Sequence, residues 1–233
     1  MHQGDGERVL GVDACRAGWV GVALAGGDAR AHVAVRIADL VAAAETDGRL
    51  DMVAIDIPIG LPDSGRRAAD QLARGQIGGR WPSVFLTPVR AALEAADLVA
   101  ANLVNRELAG EGVSAQAFAL RHKLLEVDRW VRGAVRRVVE VHPEVSFARL
   151  ARQPLAERKS TWAGATRRRR LLAQAGILLA DDLGEAGRQA GVDDVLDAAV
   201  AAWTARRVTR GEARCLPDPP QVFSDGLTCA IWV

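Results

Sequence analysis

Five acidic residues stand where the sequence predicts buried structure. Asp13 ends the apolar run "RVLGVD", Asp56 lies within the apolar run "MVAIDIPI", and Glu140 lies within "RVVEV". Asp194 and Asp197 are three positions apart near the start of the predicted helix "DDVLDAAVAAW", so they share one face of that helix. An ionised carboxylate in apolar surroundings is costly unless it has a partner, so each of these groups needs a cation or a proton.

A divalent metal site is the chemistry that these acids predict. Mg²⁺ and Mn²⁺ take oxygen ligands, and two such ions about 4 Å apart can hold the attacking and leaving oxygens of a phosphoryl transfer. We interpret all five acids as candidate metal ligands. The candidate catalytic residues are Asp13, Asp56, Asp194 and Asp197. The structural alternative is that strand-end and helix-start acids form turns and caps, as we expect of Asp193, and that Glu140 pairs with an arginine such as Arg137.

Three basic residues are candidate substrate contacts. Arg80 in "GRWPSVFLTP" and Lys159 in "RKSTWAG" lie in predicted loops that suit contact with an anion. Arg168 belongs to the run "RRRR". Such a run is more commonly a solvated helix face, and the functional alternative is that Arg168 contacts a phosphate of the substrate. His142 is expected on the same strand face as Glu140, where it could assist a site.

Composition limits the class of protein. The chain has 233 residues, of which 49% are hydrophobic and 25% charged, as is typical of a soluble globular protein with a sizeable core. A net charge of +1 provides no global field for nucleic acid or membrane, so such binding needs a local patch. The sequence has no membrane-length apolar run, no signal-peptide core at its start, and three cysteines without metal-ligand spacing. We therefore expect a cytoplasmic protein with no membrane contact.

Hydrophobic periodicity predicts a single α/β domain over residues 1–233. The runs "RVLGVD", "WVGVALA" and "RAHVAVRI" predict an antiparallel meander, and "ADLVAAAETDG" predicts a helical crossover to a parallel fourth strand that contains Asp56. Residues 60–137 predict a helical insertion. They are followed by the strand "RVVEV", helices over "ATRRRRLLAQAG" and "VDDVLDAAVAAWTARRV", and a terminal strand "TCAIWV".

Several segments, in order along nearly the whole chain, resemble one family. They are "GVDACRAGWVGVAL", "AIDIPIGLP", "RWPSVFLTP", "KLLEVD", "VVEVHPEVSF", "KSTWAGATRRR" and "DDVLDAAVAAWTARR". The family is an uncharacterised domain of unknown function, described as predicted nucleases with a ribonuclease H-like fold. The resemblance implies a mixed five-stranded sheet flanked by helices, with the helical insertion after the fourth strand.

The wider superfamily, which includes Holliday-junction resolvases, suggests roles for four of the acids. Its first strand carries an essential aspartate, matched by Asp13, and a later strand carries a second acid, matched by Asp56. Its final helix carries an acid or histidine three residues before an aspartate, a spacing that Asp194 and Asp197 match. The resolvases have glutamate where this chain has Asp56, and Glu140 has no clear counterpart.

The resemblance implies a nuclease dependent on Mg²⁺ or Mn²⁺, which hydrolyses phosphodiester bonds of DNA or RNA with a metal-activated water. Two alternatives stay open. The first is a phosphatase or phosphotransferase that acts on a small phosphorylated compound, and it predicts a small closed pocket under the 60–137 insertion instead of an open basic groove. The second is a non-catalytic binding or regulatory module, which predicts no metal binding.

Overall fold

A seven-stranded mixed sheet forms the centre of the computed structural model, which describes residues 7–233. The strands are β1 (Arg8–Cys15), β2 (Gly18–Ala25), β3 (Asp28–Ala34), β4 (Met52–Ile55), β5 (Arg137–Val141), β6 (Cys215–Val222) and β7 (Thr228–Trp232). Their order across the sheet is β3-β2-β1-β4-β5-β7-β6. Strands β1, β2 and β3 form the predicted antiparallel meander, and β4 pairs parallel with β1 as expected. Strand β5 is parallel to β4, and β7 is parallel to β5.

The expectation of five strands is wrong, because β7 and β6 extend the sheet beyond β5. Strand β7 is the predicted terminal strand. Strand β6 has the sequence "CLPDPPQV", in which three prolines hide the β signal. Proline cannot donate to a ladder, so it is tolerated at an edge strand, and β6 is the outermost strand on this side of the sheet.

Helices fill the chain between β4 and β5 and cover both faces of the sheet. The segment between β4 and β5 contains α2 (Ala68–Gln76), a 3-10 helix (Gly78–Ser83), α3 (Arg90–Leu93), α4 (Leu98–Ala109), α5 (Ala115–Ala119) and α6 (Arg121–Gly133). The remaining helices are α1 (Ile37–Glu45), α7 (Pro143–Ala151), α8 (Trp162–Gln174), α9 (Gly184–Gln189) and α10 (Val192–Thr209). Helices α7, α8 and α10 pack on one face, and α1 and α6 on the other. None of the helices in residues 7–233 is long and apolar enough to cross a membrane.

Helix α10 lies directly on β1 because one position of the strand is glycine. A Cβ atom at Gly11 would lie 2.0 Å from the amide nitrogen of Ala202 and 2.1 Å from the carbonyl oxygen of Ala198. Side chains two residues apart on a strand share a face, so Asp13 points to the same side as Gly11. Asp197 precedes Ala198, and the close contact of helix and strand therefore brings Asp197 towards Asp13.

Candidate functional site

A cavity of about 440 Å³ opens at the carboxyl ends of β1, β4 and β5, where open α/β sheets commonly bind ligands. Its polar wall contains Asp13, Asp56, Asp70, Arg80, Glu140, His142, Glu144, Arg158, Lys159, Asp194 and Asp197. The segment between β4 and β5 contributes Phe85, Gln116 and Leu120 to the lining. Seven of the eight predicted site residues thus border one cavity, and the exception is Arg168.

The two parallel strands place their acids by ending at the cavity. Asp13 lies near the end of β1, and Asp56 is the first residue after β4 rather than a residue within it. The backbone N–H of Asp56 still donates to the carbonyl oxygen of Val12 at 3.0 Å, so the ladder holds this residue in register. Strand β4 ends at Ile55, and Pro58, which has no N–H, cannot continue the ladder.

Three carboxyl groups in the cavity have raised pKa values. Burial raises the pKa of Asp13 well above its usual range, and the charges of Asp56 and Asp197 raise it further. Burial, followed by the charge of Asp197, raises the pKa of Asp56 to about 8. Burial raises the pKa of Asp197 to about 6 although the charge of Lys159 opposes this shift. The three groups therefore interact electrostatically, and together they attract positive charge.

Lys159 supplies a cation inside this acidic cluster. Its Nζ lies 2.6 Å from Oδ2 of Asp197 and 3.8 Å from Oδ2 of Asp193. Burial disfavours the charged ammonium, but the charge and hydrogen bond of Asp197 outweigh burial and raise the pKa of Lys159. The other oxygen of Asp197, Oδ1, is buried and has no hydrogen-bond partner within residues 7–233. Asp197 therefore keeps one oxygen for a further cation.

Glu140 has a different place from the one predicted for a metal ligand. Its Oε2 accepts a hydrogen bond from the backbone N–H of Ile59 at 2.8 Å and a second one from Arg67. Arg67 is fully buried and also donates to the carbonyl oxygen of Ile59 at 3.3 Å. Glu140 and Arg67 thus hold both backbone groups of Ile59 and fix the segment that follows Asp56. The structure gives Glu140 a positioning role, with Arg67 and not Arg137 as its partner, and its role as a metal ligand stays a prediction.

Sequence reasoning did not select Arg67, since an arginine in "SGRRAADQ" resembles a solvated helix start. Its Nη1 donates to Asp70 at 3.1 Å and to Thr87 at 2.8 Å, and its Nε donates to the sulfur of Cys229 at 2.9 Å. No periodicity in the sequence indicates this network, because its members come from distant parts of the chain. The network ties the start of α2 to β5 and β7 beside the cavity.

Asp194 both lines the cavity and caps α10. Its Oδ2 accepts from the backbone N–H of Gly191 at 3.2 Å, which satisfies a donor at the start of the helix. Burial and the neighbouring charge of Asp193 raise the pKa of Asp194. Asp194 therefore caps the helix through a hydrogen bond, and Asp193 lies in the first turn, where its negative charge is favourable for the helix dipole.

Arg80 lies at the mouth of the cavity and is held by main-chain carbonyls. Its Nε donates to the carbonyl oxygen of Leu155 at 3.3 Å, and Nη2 donates to that of Ala156. These bonds connect the 3-10 helix to the loop that precedes Lys159. Arg80 keeps its positive charge next to the cavity, where an anion can be contacted.

Arg168 contradicts the expectation of a surface residue that contacts phosphate. It is fully buried, and its Nη2 lies 2.6 Å from Oε1 of Glu144. Its guanidinium also lies over the ring of Phe147 at 5.3 Å from the centroid. The run of four arginines does not form one solvated face, because Arg168 faces α7 on the buried side of α8. Arg169 and Arg170 are exposed.

The cavity offers oxygen donors for a metal ion, but not a completed set of ligands. Within residues 7–233, no group of three or more histidine, cysteine, aspartate or glutamate side chains is arranged so that it could hold a metal ion. Mg²⁺ usually keeps several waters and is bound by one or two carboxylates together with substrate phosphates. Asp197 with its unpartnered oxygen, and Asp13 and Asp56 with their raised pKa values, fit that kind of site.

Comparison with known proteins identifies the family. A family model described as "Protein of unknown function (DUF429)" matches residues 11–222. The chain belongs to this family. No curated protein and no solved structure matches the chain at a significant level. The match covers β1 to β6 and every cavity residue discussed above, so the candidate site of this DUF429 protein lies within the family region.

Proposed function

We propose that the protein is a phosphoester hydrolase dependent on Mg²⁺ or Mn²⁺, with a ribonuclease H-like core, that cleaves phosphodiester bonds of nucleic acid. One observation carries the proposal. Asp13 from β1, Asp56 from the end of β4 and Asp197 from α10 border one cavity, and the charges of Asp56 and Asp197 raise the pKa of Asp13. The meander followed by parallel β4 and β5 supports the ribonuclease H-like core, which β7 and β6 would extend.

The residues of the cavity would have different roles in binding the cation and the substrate. One or two of the carboxylates of Asp13, Asp56 and Asp197 would hold the divalent cation, with waters and substrate phosphate as its other ligands. Glu140 with Arg67 would keep the Asp56 segment in place. A bound cation would supply charge neutralisation and Lewis-acid activation at the phosphoryl group. Side chains of the chain itself would orient the substrate.

Two basic groups of the cavity wall would face the substrate phosphate. Lys159 would exchange its contact with Asp197 for a phosphate oxygen, because the cation would then neutralise Asp197. Arg80 would remain at the mouth of the cavity, held by its two carbonyl partners. Both residues thus keep the anion-binding role proposed for them from the sequence.

A second candidate function is hydrolysis or transfer of phosphate on a small phosphorylated compound. The observation that favours it is the cavity itself. Its volume of about 440 Å³ falls in the range of small-molecule sites, and Phe85, Gln116 and Leu120 from the helical segment also line it. The cavity wall also contains more acidic than basic residues, unlike a groove built for a duplex.

The test combines metal binding with three substrates. Mn²⁺ would be titrated calorimetrically into the wild-type protein, the variant Asp197→Asn and the control variant Asp193→Asn. Asp193 is an acid of the same helix, but its side chain does not line the cavity. The same proteins would be assayed with single-stranded DNA, RNA and p-nitrophenyl phosphate, with Mn²⁺ and with a chelator. We expect Asp197→Asn to weaken Mn²⁺ binding by about tenfold or more, and Asp193→Asn to change it by less than about threefold.

The outcomes separate the candidate functions. Metal-dependent cleavage of DNA or RNA, lost in Asp197→Asn, supports the nuclease. Metal-dependent cleavage of p-nitrophenyl phosphate alone moves the assignment to the small-compound enzyme. The absence of Mn²⁺ binding by the wild-type protein overturns both and leaves a non-catalytic module.

A further inference from the structure

A second cavity, of about 630 Å³, lies where α7 and α10 end. Its polar side chains are those of Gln76, Arg149, Arg152, Gln153, Trp203, Arg207 and Arg214, and Val233 with its terminal carboxylate also lines it. The lining thus contains four arginines and no aspartate or glutamate. In a chain whose net charge is only +1, this is a local concentration of positive charge. We refer to it as the arginine cavity.

The four arginines have unused hydrogen-bonding capacity. Within residues 7–233 none of them forms a salt bridge, although arginines elsewhere, such as Arg90 and Arg168, are paired with carboxylates. Arg207 donates from Nη2 to the carbonyl oxygen of Glu212 at 2.6 Å, while its Nη1 is buried without a partner among the described residues. A buried charged donor without a partner is unfavourable, so an anion at this point would be stabilising.

The surroundings orient the guanidinium group of Arg207, and the charge of Glu212 compensates only part of the repulsion that it meets. The guanidinium of Arg207 lies over the ring of Trp203, 4.8 Å from its centroid. Burial lowers the pKa of Arg207, and the positive charge of Arg149 lowers it further. The guanidinium groups of Arg207 and Arg149 therefore repel each other across the cavity.

Compensation of helix dipoles explains only part of this cluster. Basic residues in the last turn of a helix are favourable, which accounts for Arg149 in α7 and Arg207 in α10. It does not account for Arg214, which precedes β6. Arg152 follows α7 with a φ of 60°, a left-handed conformation in which glycine is the usual and less strained residue. The excess of arginine over what the helices need indicates a ligand.

We propose that the arginine cavity is a second binding site, for a phosphate-bearing anion with several negative charges. Planar guanidinium groups bind phosphate oxygens with paired hydrogen bonds, and four of them around one cavity can neutralise more than one phosphate. The anion has two chemical sources, a small polyphosphate and the backbone of single-stranded nucleic acid.

This site is distinct from the cavity that contains Asp13, Asp56 and Asp197, which we call the acidic cavity. Helix α7 connects the two, since its first residues Pro143 and Glu144 line the acidic cavity and Arg149 lines the arginine cavity. Its nine residues span about 13 Å. The inference therefore does not depend on the proposed hydrolase activity.

The experiment measures binding without catalysis. Inorganic tripolyphosphate and a short fluorescent single-stranded oligonucleotide would each be titrated, in chelator, into the full-length protein. Four proteins are compared: wild type, Arg149→Gln/Arg152→Gln, Arg214→Gln, and the control Arg170→Gln. Arg149, Arg152, Arg214 and Arg170 are all exposed, and Arg170 lies on α8 away from the arginine cavity. Melting curves would show that each variant folds.

We expect saturable binding of at least one probe that weakens with salt, because bound phosphate releases counterions. The double variant should weaken it by about tenfold or more, Arg214→Gln by about threefold to tenfold, and Arg170→Gln by less than about twofold. Binding of tripolyphosphate alone identifies a small anion, and binding of the oligonucleotide alone identifies a nucleic-acid strand.

Two results would overturn the proposal. One is that neither probe binds saturably to the wild-type protein. The other is that the double variant and Arg214→Gln bind as tightly as the wild type, which would place the anion elsewhere. Asp197→Asn should bind tripolyphosphate in chelator as the wild type does, which distinguishes a failure of the hydrolase proposal from a failure of this one.

Discussion

At the scale of single residues, the wall of the acidic cavity contains more carboxyl groups than basic groups. Lys159 pairs with Asp197, but Asp13 and Asp56 have no salt-bridge partner within residues 7–233 and have raised pKa values. This arrangement costs stability in the absence of a further cation, because burial and mutual repulsion both disfavour the ionised forms. Such a cost is common at functional sites and uncommon in a core built only for stability.

The raised pKa of Asp56 predicts that the metal-free protein becomes less stable as pH rises. The carboxyl group has an ordinary pKa of 3.8 when unfolded and one of about 8 when folded. Between these values the folded state binds more protons than the unfolded state, so the free energy of unfolding decreases with pH. We expect a decrease of about 1–3 kcal/mol between about pH 5 and about pH 8 in chelator.

Urea unfolding of wild type, Asp56→Asn and Asp193→Asn at several pH values measures this effect. Asp56→Asn should flatten the dependence, while Asp193→Asn should keep it. An equally steep decrease in Asp56→Asn would show that other groups cause it.

The buried position of Arg168 predicts a loss of stability and not of ligand binding. Arg168→Gln leaves Glu144 without its partner and removes donors to the carbonyl oxygens of Glu157 and Gly164. We expect the free energy of unfolding to fall by about 2–4 kcal/mol, whereas Arg170→Gln on the exposed face should change it by less than about 0.5 kcal/mol. Denaturant unfolding of the two variants checks this, and equal stability would contradict the buried ion pair.

At the scale of elements, the contact between α10 and β1 determines where Asp197 lies. Gly11→Ala would place a Cβ atom 2.0 Å from backbone of α10, so the helix must move. We expect a loss of about 3 kcal/mol or more and weaker Mn²⁺ binding, because Asp197 moves with the helix. The control is Gly21→Ala on β2, whose Cβ would meet side-chain atoms of Leu10 and Leu40 at 3.0 and 3.2 Å.

Those side chains can adjust, so Gly21→Ala should cost about 1 kcal/mol or less and leave Mn²⁺ binding unchanged. Unfolding curves and calorimetric titration of both variants provide the comparison. A Gly11→Ala protein that binds Mn²⁺ like the wild type would show that α10 does not position a ligand.

The link between β5 and the segment after β4 predicts strong coupling between Arg67 and Glu140. Arg67→Met leaves the buried carboxyl groups of Glu140 and Asp70 without their shared cation and should cost about 3–5 kcal/mol. Glu140→Gln leaves Arg67 paired with Asp70 and should cost less, about 1–3 kcal/mol. The double variant should be more stable than the sum of the two losses predicts, by about 1–3 kcal/mol. A double-mutant cycle of unfolding free energies measures the coupling, and strict additivity would contradict the contact.

At the scale of the whole molecule, the helical segment between β4 and β5 limits what can enter the acidic cavity. Phe85, Gln116 and Leu120 line it, and its volume of about 440 Å³ falls in the range of small-molecule sites. We expect Mn²⁺-dependent cleavage of single-stranded substrate to exceed cleavage of the matching duplex by about tenfold or more. Parallel cleavage assays on gels measure this ratio, and equal rates would require a movement of the helical segment.

The sequence by itself determined the strand-end acids, the meander, the parallel fourth strand and the helices α8 and α10. These features follow from local patterns, such as apolar runs ending on Asp13 and acids three positions apart in α10, which a reader of the sequence can see. The family resemblance placed the same acids together. The prolines of "CLPDPPQV" concealed β6, because whether a strand lies at an edge is not a local property.

Only the tertiary structure decided which charges are paired. The sequence does not show that Glu140 meets Arg67, 73 positions away, or that Lys159 neutralises Asp197 from a loop. It also does not show that Arg168 faces inward while Arg170 faces solvent. The reason is physical: a charged side chain is the same in sequence whether it is solvated or buried, and the partner that permits its burial comes from a distant segment brought near by packing.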